Sequence, residues 1–218
     1  MKLSKFAQTA KRFGMCAEYR VERDCVWLSN GYAIYRAAGL PEFYGREQAR
    51  AVLSLDEKQM EKIVFREIDC ADLFDVQGMN LNETDAQEKD TKPVNVVAIV
   101  GGKYASAVIA KDGETVFYDN ALLSPLSDVM KDSDYMEMTI RQTASGQRYI
   151  AVKDGMMMLA ALMPMQIVSD KYLADLAEYQ AICTDQLFRE RARAAATTTE
   201  QPEEPAEQTE LEEQTDED

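Results

Sequence analysis

The spacing of apolar residues near the start of the chain changes from helical to alternating. The apolar positions recur along one face of a helix at Leu3, Phe6, Ala7, Ala10 and Phe13. Gly14 follows as a typical helix stop, and residues 18–29 then alternate loosely between apolar and polar. Asn30-Gly31, a strong hairpin signal, precedes an extended run at residues 32–36. This pattern predicts a helix followed by a meander of strands.

The same order of elements recurs in the second half of the chain. Alternating runs predict strands at 95–100, 104–110 and 115–118, and a helix follows at 121–131. Three further runs, at 135–143, 148–152 and 156–163, are separated by the turn pairs Ser145-Gly146 and Asp154-Gly155. A helix and a meander therefore occur twice, which indicates an internal structural repeat. Chance recurrence is the alternative, because β-meanders are common.

Two polar stretches divide the chain into predicted regions. Residues 77–93 are polar without periodicity, which is typical of a flexible linker or loop between residues 1–76 and residues 94–196. A long C-terminal helix is expected from Ser169 onwards, with an apolar stripe of Tyr172, Leu173, Leu176, Tyr179, Ile182 and Leu187. Residues 197–218 carry ten acidic residues and no Lys or Arg, so we expect a disordered acidic tail. The predicted class is α+β, with helices on one face of antiparallel sheet.

The composition of the chain limits the classes of protein to which it can belong. The formal net charge is −15, but ten of the 39 acidic residues lie in the tail, so residues 1–196 are only mildly acidic. No apolar run is long enough to cross a membrane, and no secretory signal is recognised at Met1. The four cysteines are irregularly spaced, which favours a reducing cytoplasm over a disulfide framework.

The sequence offers little that is typical of catalysis. The chain has no histidine, which removes Ser-His and Cys-His pairs and the commonest metal ligand. Glycine-rich phosphate-binding motifs are missing, and carboxylate pairs such as Asp69 and Asp72 lie in polar stretches. We therefore expect no catalytic residue, no metal and no cofactor, and a protein that works by binding.

The first helix supplies the candidate binding residues. Projection at about 100° per residue places Lys5, Thr9 and Arg12 opposite the apolar stripe, with Lys2 nearby and Lys11 on a flank. A helix with four basic residues and no acid suits contact with DNA backbone phosphates without base readout. The alternative is an ordinary solvated helix face.

A helix followed by three strands, used twice, resembles the DNA sliding clamps, the processivity factors of replication. Residues 115–165 resemble them most, with a short strand leading into a helix and then a meander, and residues 2–37 correspond to the first repeat. The resemblance implies that Lys5 and Arg12 face DNA. The second helix departs from it, because its outer face carries Ser124, Asp128 and Lys131. The chain also has room for about one clamp domain.

Three functional hypotheses follow from the sequence. The first is a DNA-associated, clamp-like protein that uses Lys2, Lys5, Lys11 and Arg12. The second is a protein-interaction module or assembly subunit, expected as a homo-oligomer, that uses the long last helix or the sheet faces. The third is an enzyme of unrecognised type, which would need a concave pocket with a strongly perturbed carboxylate.

Overall fold

The computed structural model describes residues 1–21, 25–40, 42–43, 45–70, 76–100, 102–167 and 169–199, with the backbone alone at 25, 95–98, 100 and 197–199. The predicted disordered tail starts at residue 197, but residues 197–199 belong to a helix, and the rest of the tail lies outside the described residues. The α-helices are α1 (Leu3–Phe13), α2 (Arg46–Val52), α3 (Glu57–Glu61), α4 (Ser127–Asp132) and α5 (Asp170–Thr199), and a 3₁₀ helix spans Asn120–Leu126. The strands are β1 (Met15–Val21), β2 (Cys25–Ser29), β3 (Ala33–Arg36), β4 (Val64–Cys70), β5 (Lys89–Val100), β6 (Lys103–Ala110), β7 (Thr115–Asp119), β8 (Met136–Gln142), β9 (Arg148–Asp154) and β10 (Met157–Leu162).

All ten of these strands form one sheet in the order β4-β1-β2-β3-β10-β9-β8-β5-β6-β7. The meander β1-β2-β3 joins the meander β8-β9-β10 through antiparallel pairing of β3 with β10, from Ala33↔Leu162 to Tyr35↔Ala160. Every pairing is antiparallel except that of β1 with β4, which is parallel. The α+β class and the long C-terminal helix are confirmed, whereas the internal repeat stays a prediction.

Helices cover one face of the sheet. Phe6 and Ala10 of α1 are fully buried against strand residues, and the ring of Phe6 meets that of Tyr35 edge-on at 5.8 Å between centroids. The Tyr35 hydroxyl donates a hydrogen bond of 2.7 Å to the carbonyl of Leu122 in the 3₁₀ helix. Side chains of α2 and α3, including Ala49 and Met60, join the same core.

Within the described part of Met1–Ile167, a loop packs on the opposite face. Buried Tyr19, Trp27 and Tyr149 of the strands pack there against Val76, Met79 and Leu81. Backbone hydrogen bonds between Val76 and Met79 close a tight turn. The loop therefore supplies part of the apolar core.

Arg141 of β8 fixes this loop to the sheet. Its side chain has no exposed area, and its guanidinium donates to the carbonyl oxygens of Asn80 at 3.0 Å, Asn82 at 2.7 Å and Glu83 at 3.1 Å. It also donates at 2.7 Å to the carboxylate of Glu88, which accepts a second ion pair from Lys153. One buried cation thus satisfies the backbone of a segment that has no strand or helix partner there.

The predicted linker at 77–93 therefore differs from the structure. Its first part is held by Arg141, and its last part, from Lys89, belongs to β5, which begins six residues before the predicted strand at 95. The predicted helix at 121–131 is divided into the 3₁₀ helix and α4, because Pro125 cannot donate the hydrogen bond that an α-helix needs there. Elements α2, α3 and β4 were not predicted.

The chain divides into two units, Met1–Ile167 and Val168–Asp218, which are described separately. This boundary differs from the predicted divisions at 76/77 and 93/94, because the sheet joins strands from both sides of them. Within the described part of the chain, no helix combines the length and the apolar character needed to span a membrane.

Replacing Arg141 with Met should lower the free energy of unfolding by about 3–5 kcal/mol, because Glu88 and three carbonyl groups lose their donor. Arg148→Met is the control, because Arg148 is mostly exposed and its replacement should cost about 0–1 kcal/mol. Urea unfolding of both variants measures the difference. Equal stability of the two variants would contradict the anchoring role of Arg141.

Candidate interaction surfaces

Helix α1 presents the basic residues predicted from the sequence. No acidic residue precedes or interrupts the helix, and Lys11 and Arg12 lie in its last turn, where positive charge is favoured by the helix dipole. The helix ends at Gly14, whose φ of 71° lies in the left-handed region and whose N–H bonds to Ala10. The sequence therefore forms this helix from local signals.

Two of the four predicted DNA-binding residues form ion pairs within the fold. Lys2 lies 3.2 Å from Asp128 of α4, and Arg12 lies 2.9 Å from Asp119. The hydrogen bond from Lys2 is the largest cause of the lowered pKa of Asp128. Any phosphate that bound Lys2 or Arg12 would have to compete with these carboxylates.

Lys5 and Lys11 remain as candidate phosphate contacts. Lys5 is half-buried and Lys11 is exposed, and neither forms an ion pair with any residue that the structure describes. Thr9 was predicted on the same polar side, but this prediction was wrong: its side chain is 4% exposed, and its hydroxyl donates to the carbonyl of Phe6 at 2.8 Å. Helix α1 packs against both the sheet and the 3₁₀ helix, so fewer of its side chains reach solvent than the helical projection predicts.

Helix α5 has a different kind of surface. Ser169 caps it, since the backbone N–H of Tyr172 donates to the Ser169 hydroxyl at 3.2 Å, and Asp185 pairs with Arg189 one turn later at 2.7 Å. Projection at about 100° per residue gives an apolar stripe about 120° wide over residues 172–187. The predicted stripe included Ile182, but this residue lies about 60° outside that arc, and Cys183 lies within it. The stripe consists of the following side chains: Tyr172, Leu173, Leu176, Tyr179, Cys183 and Leu187.

The stripe of α5 is exposed except at Tyr172, which is half-buried. The exposed fractions are 52% for Leu173, 46% for Leu176 and 47% for Leu187, and Tyr179 reaches 67%. Among the residues described in unit Val168–Asp218, α5 is the only element, so nothing in that unit packs on the stripe. An isolated helix gains most of its stability from packing of its apolar face.

Charge is unevenly distributed along α5. Residues 170–185 contain four acidic residues and one lysine, a net charge of −3. Residues 189–193 contain three arginines and one glutamate, a net charge of +2. The helix therefore has an acidic first half and a basic end.

A buried carboxylate elsewhere in the fold has a structural role. Glu18 of β1 has no exposed area, and it accepts a hydrogen bond of 2.6 Å from the backbone N–H of Phe43 and one of 3.1 Å from Arg20. Burial is the largest cause of its raised pKa. These bonds attach the segment at Phe43 to the sheet.

Among the side chains that the structure describes, no three His, Cys, Asp or Glu residues form a metal-binding group.

Comparison with known proteins gives no assignment. No family model matches the sequence, and neither a curated protein nor a solved structure matches it.

Proposed function

We propose that this chain is a non-enzymatic assembly subunit that self-associates through α5. The exposed apolar stripe of α5 is the observation that carries the proposal. Contiguous exposed apolar surface typically marks a site of association. The thiols of Cys16 and Cys183 are free, which fits the expected cytoplasmic location.

The stripe favours a second copy of α5 because four of its six residues are symmetrically spaced. Tyr172, Leu176, Cys183 and Leu187 are symmetric about the point between residues 179 and 180, where Tyr179 lies. In an antiparallel pair, Tyr172 lies at the level of Leu187 of the second copy. Leu176 likewise lies at the level of its Cys183. A twofold interface of this kind is self-complementary and uses each side chain twice.

Charge supports the antiparallel direction. The acidic first half of one helix then lies beside the basic end of the other, and the same symmetry brings Asp170 level with Arg189 of the second copy. A parallel pair in register would instead place acid beside acid and arginine beside arginine, which is unfavourable.

Burial of the apolar stripe would supply the favourable free energy of association. Each leucine that becomes fully buried contributes about 1.5–3 kcal/mol. Association itself costs roughly 4–15 kcal/mol. Leu173, Leu176 and Leu187 are about half exposed, so each gains only part of the full value, and these gains, counted twice by the symmetry, oppose the cost.

A second candidate function is DNA association of the sliding-clamp kind. It is supported by the absence of acidic residues from α1 and by the packing of α1 beside the 3₁₀ helix on one face of the sheet. The ion pairs of Lys2 and Arg12 count against it, which is why self-association ranks first.

The first prediction concerns the mass in solution. Light scattering should give about twice the 24.6 kDa of one chain for the wild type, and a single-chain mass for Leu176→Asp with Leu187→Asp, because charge in the stripe opposes burial. The matched control is Ile182→Asp with Phe188→Asp: both side chains are more than half exposed on α5 but lie off the stripe. The control should remain dimeric. A wild-type chain that stays monomeric at every concentration would disprove self-association.

The second prediction concerns the direction of the helices. In the antiparallel dimer the two Cys183 residues lie seven residues apart along the axis, about 10 Å, which is too far for a disulfide. Mild oxidation should therefore leave the wild type uncrosslinked, whereas Leu176→Cys should form a covalent dimer with Cys183 of the second copy.

The double variant Leu176→Cys with Cys183→Ser is the control for crosslinking and should stay uncrosslinked. Rapid crosslinking of wild type through Cys183 would indicate a parallel dimer and overturn the antiparallel arrangement, while leaving self-association intact. The direction of pairing and the existence of the dimer are thus tested separately.

The third prediction tests DNA association. If α1 binds phosphates, the wild type should bind duplex DNA at low salt in fluorescence anisotropy. Lys5→Gln with Lys11→Gln should then reduce the slope of log affinity against log salt by about one for each lysine replaced. Lys58→Gln with Lys62→Gln makes the same charge change at α3 and should leave that slope unchanged. Absence of binding by the wild type at low salt would remove this candidate.

A further inference from the structure

The sheet opens into a cleft where β5 and β8 diverge. These strands pair only at Lys89↔Ile140 and Asp90↔Thr139; β8 then continues beside β9, and β5 beside β6. The edge of β8 from Met136 to Met138 consequently has no strand neighbour on the β5 side among the pairings that the structure describes. The space has a volume of about 710 Å³, which falls in the range typical of small-molecule sites.

The inner part of the cleft is apolar and rich in methionine. Met136 and Met138 of β8 point to the helix-covered side, and Leu123 and Met130 approach from the 3₁₀ helix and α4. All four are only partly buried although they pack against the core, and the buried Tyr118 completes the wall. Methionine side chains adapt to ligand shape, so this wall suits an apolar body of no fixed outline.

The mouth of the cleft carries equal numbers of positively and negatively charged side chains. Strand alternation places Glu137 on the face of β8 opposite the methionines, and Lys92, Lys111 and Asp90 line the same opening. Lys111 pairs with Asp90 at 3.2 Å. Lys92 on β5 and Glu137 on β8 form no ion pair with any described residue, so the two sides of the mouth offer one available cation and one available anion.

A buried hydroxyl separates the apolar interior from the mouth. Thr139 is 2% exposed and lines the cleft, and its Oγ1 has no hydrogen-bond partner among the residues that the structure describes. Thr91, which follows the β5 partner Asp90 of Thr139, donates instead to the carbonyl of Met138 at 2.7 Å. Buried hydroxyls normally have a partner, so Thr139 offers a hydrogen bond to a bound molecule.

We propose that this cleft binds a small amphipathic molecule, with its apolar chain among Met130, Met136 and Met138 and a zwitterionic head group between Lys92 and Glu137. The balanced mouth favours this head group, because a singly charged one would leave either the lysine or the glutamate without a partner. The site lies in Met1–Ile167 and is independent of self-association through α5.

The test uses the full chain labelled with ¹³C at the methionine methyl groups, titrated with decylphosphocholine below its micellar concentration. The methyl signals of Met130, Met136 and Met138 should shift and saturate. Met156, which is 71% exposed, is an internal control and should not shift with them. Helix α5 contains no methionine, so binding to its stripe would not be mistaken for binding in the cleft.

Two comparisons test the head group and the hydroxyl. Decanoate and decyltrimethylammonium have similar chains with one charge each and should bind several-fold more weakly than decylphosphocholine. Lys92→Gln, Glu137→Gln and Thr139→Val should each weaken decylphosphocholine binding several-fold, whereas Lys103→Gln, a change of exposed lysine outside the cleft, should not.

Failure to saturate, or a shift of Met156 with the same dissociation constant, would overturn the site. Equal affinities for the three amphiphiles, or no effect of Lys92→Gln and Glu137→Gln, would overturn the assignment of a zwitterionic head group.

Discussion

The pairing of β3 with β10 is the constraint on which the rest of the fold depends. Three residue pairs, from Ala33↔Leu162 to Tyr35↔Ala160, turn two meanders into one sheet with two continuous faces. Tyr35 extends the effect beyond the sheet, because its ring packs on Phe6 of α1 and its hydroxyl bonds to Leu122 of the 3₁₀ helix. A single buried side chain thus sets the position of both helices, and of the basic face of α1.

Buried charged side chains hold segments of irregular backbone against the sheet in this fold. Arg141 satisfies the carbonyl groups of residues 80–83, and Glu18 accepts the N–H of Phe43. Each of these segments lacks a strand partner, so its backbone polar groups would otherwise be buried without hydrogen bonds. The bonding capacity of both charged groups is taken up inside the fold.

The sequence predicted the elements that depend on local spacing. The helices α1 and α5 and the hairpin around Asn30-Gly31 follow from periodicity and turn chemistry, and they are present. Strand β4 was missed because it pairs in parallel with β1, some fifty residues earlier, and it has no alternation of its own: its burial pattern is largely exposed. The polar start of β5 was taken for a linker because its partners lie on β6 and β8. The ion pairs of Lys2 and Arg12 involve carboxylates more than one hundred residues away, which no local pattern reveals.

The two candidate binding surfaces rest on different physical grounds. The stripe of α5 exposes large apolar side chains, and the helix has no packing partner among the described residues of its own unit. Burying these side chains requires a surface of comparable length, which a second helix supplies. The cleft is concave, holds its apolar groups beneath a charged mouth and contains one unpartnered buried hydroxyl, so it suits a small molecule and not a helix. One surface lies in Val168–Asp218 and the other in Met1–Ile167, so the two inferences rest on separate sets of residues. Disproof of either activity would therefore leave the argument for the other unchanged.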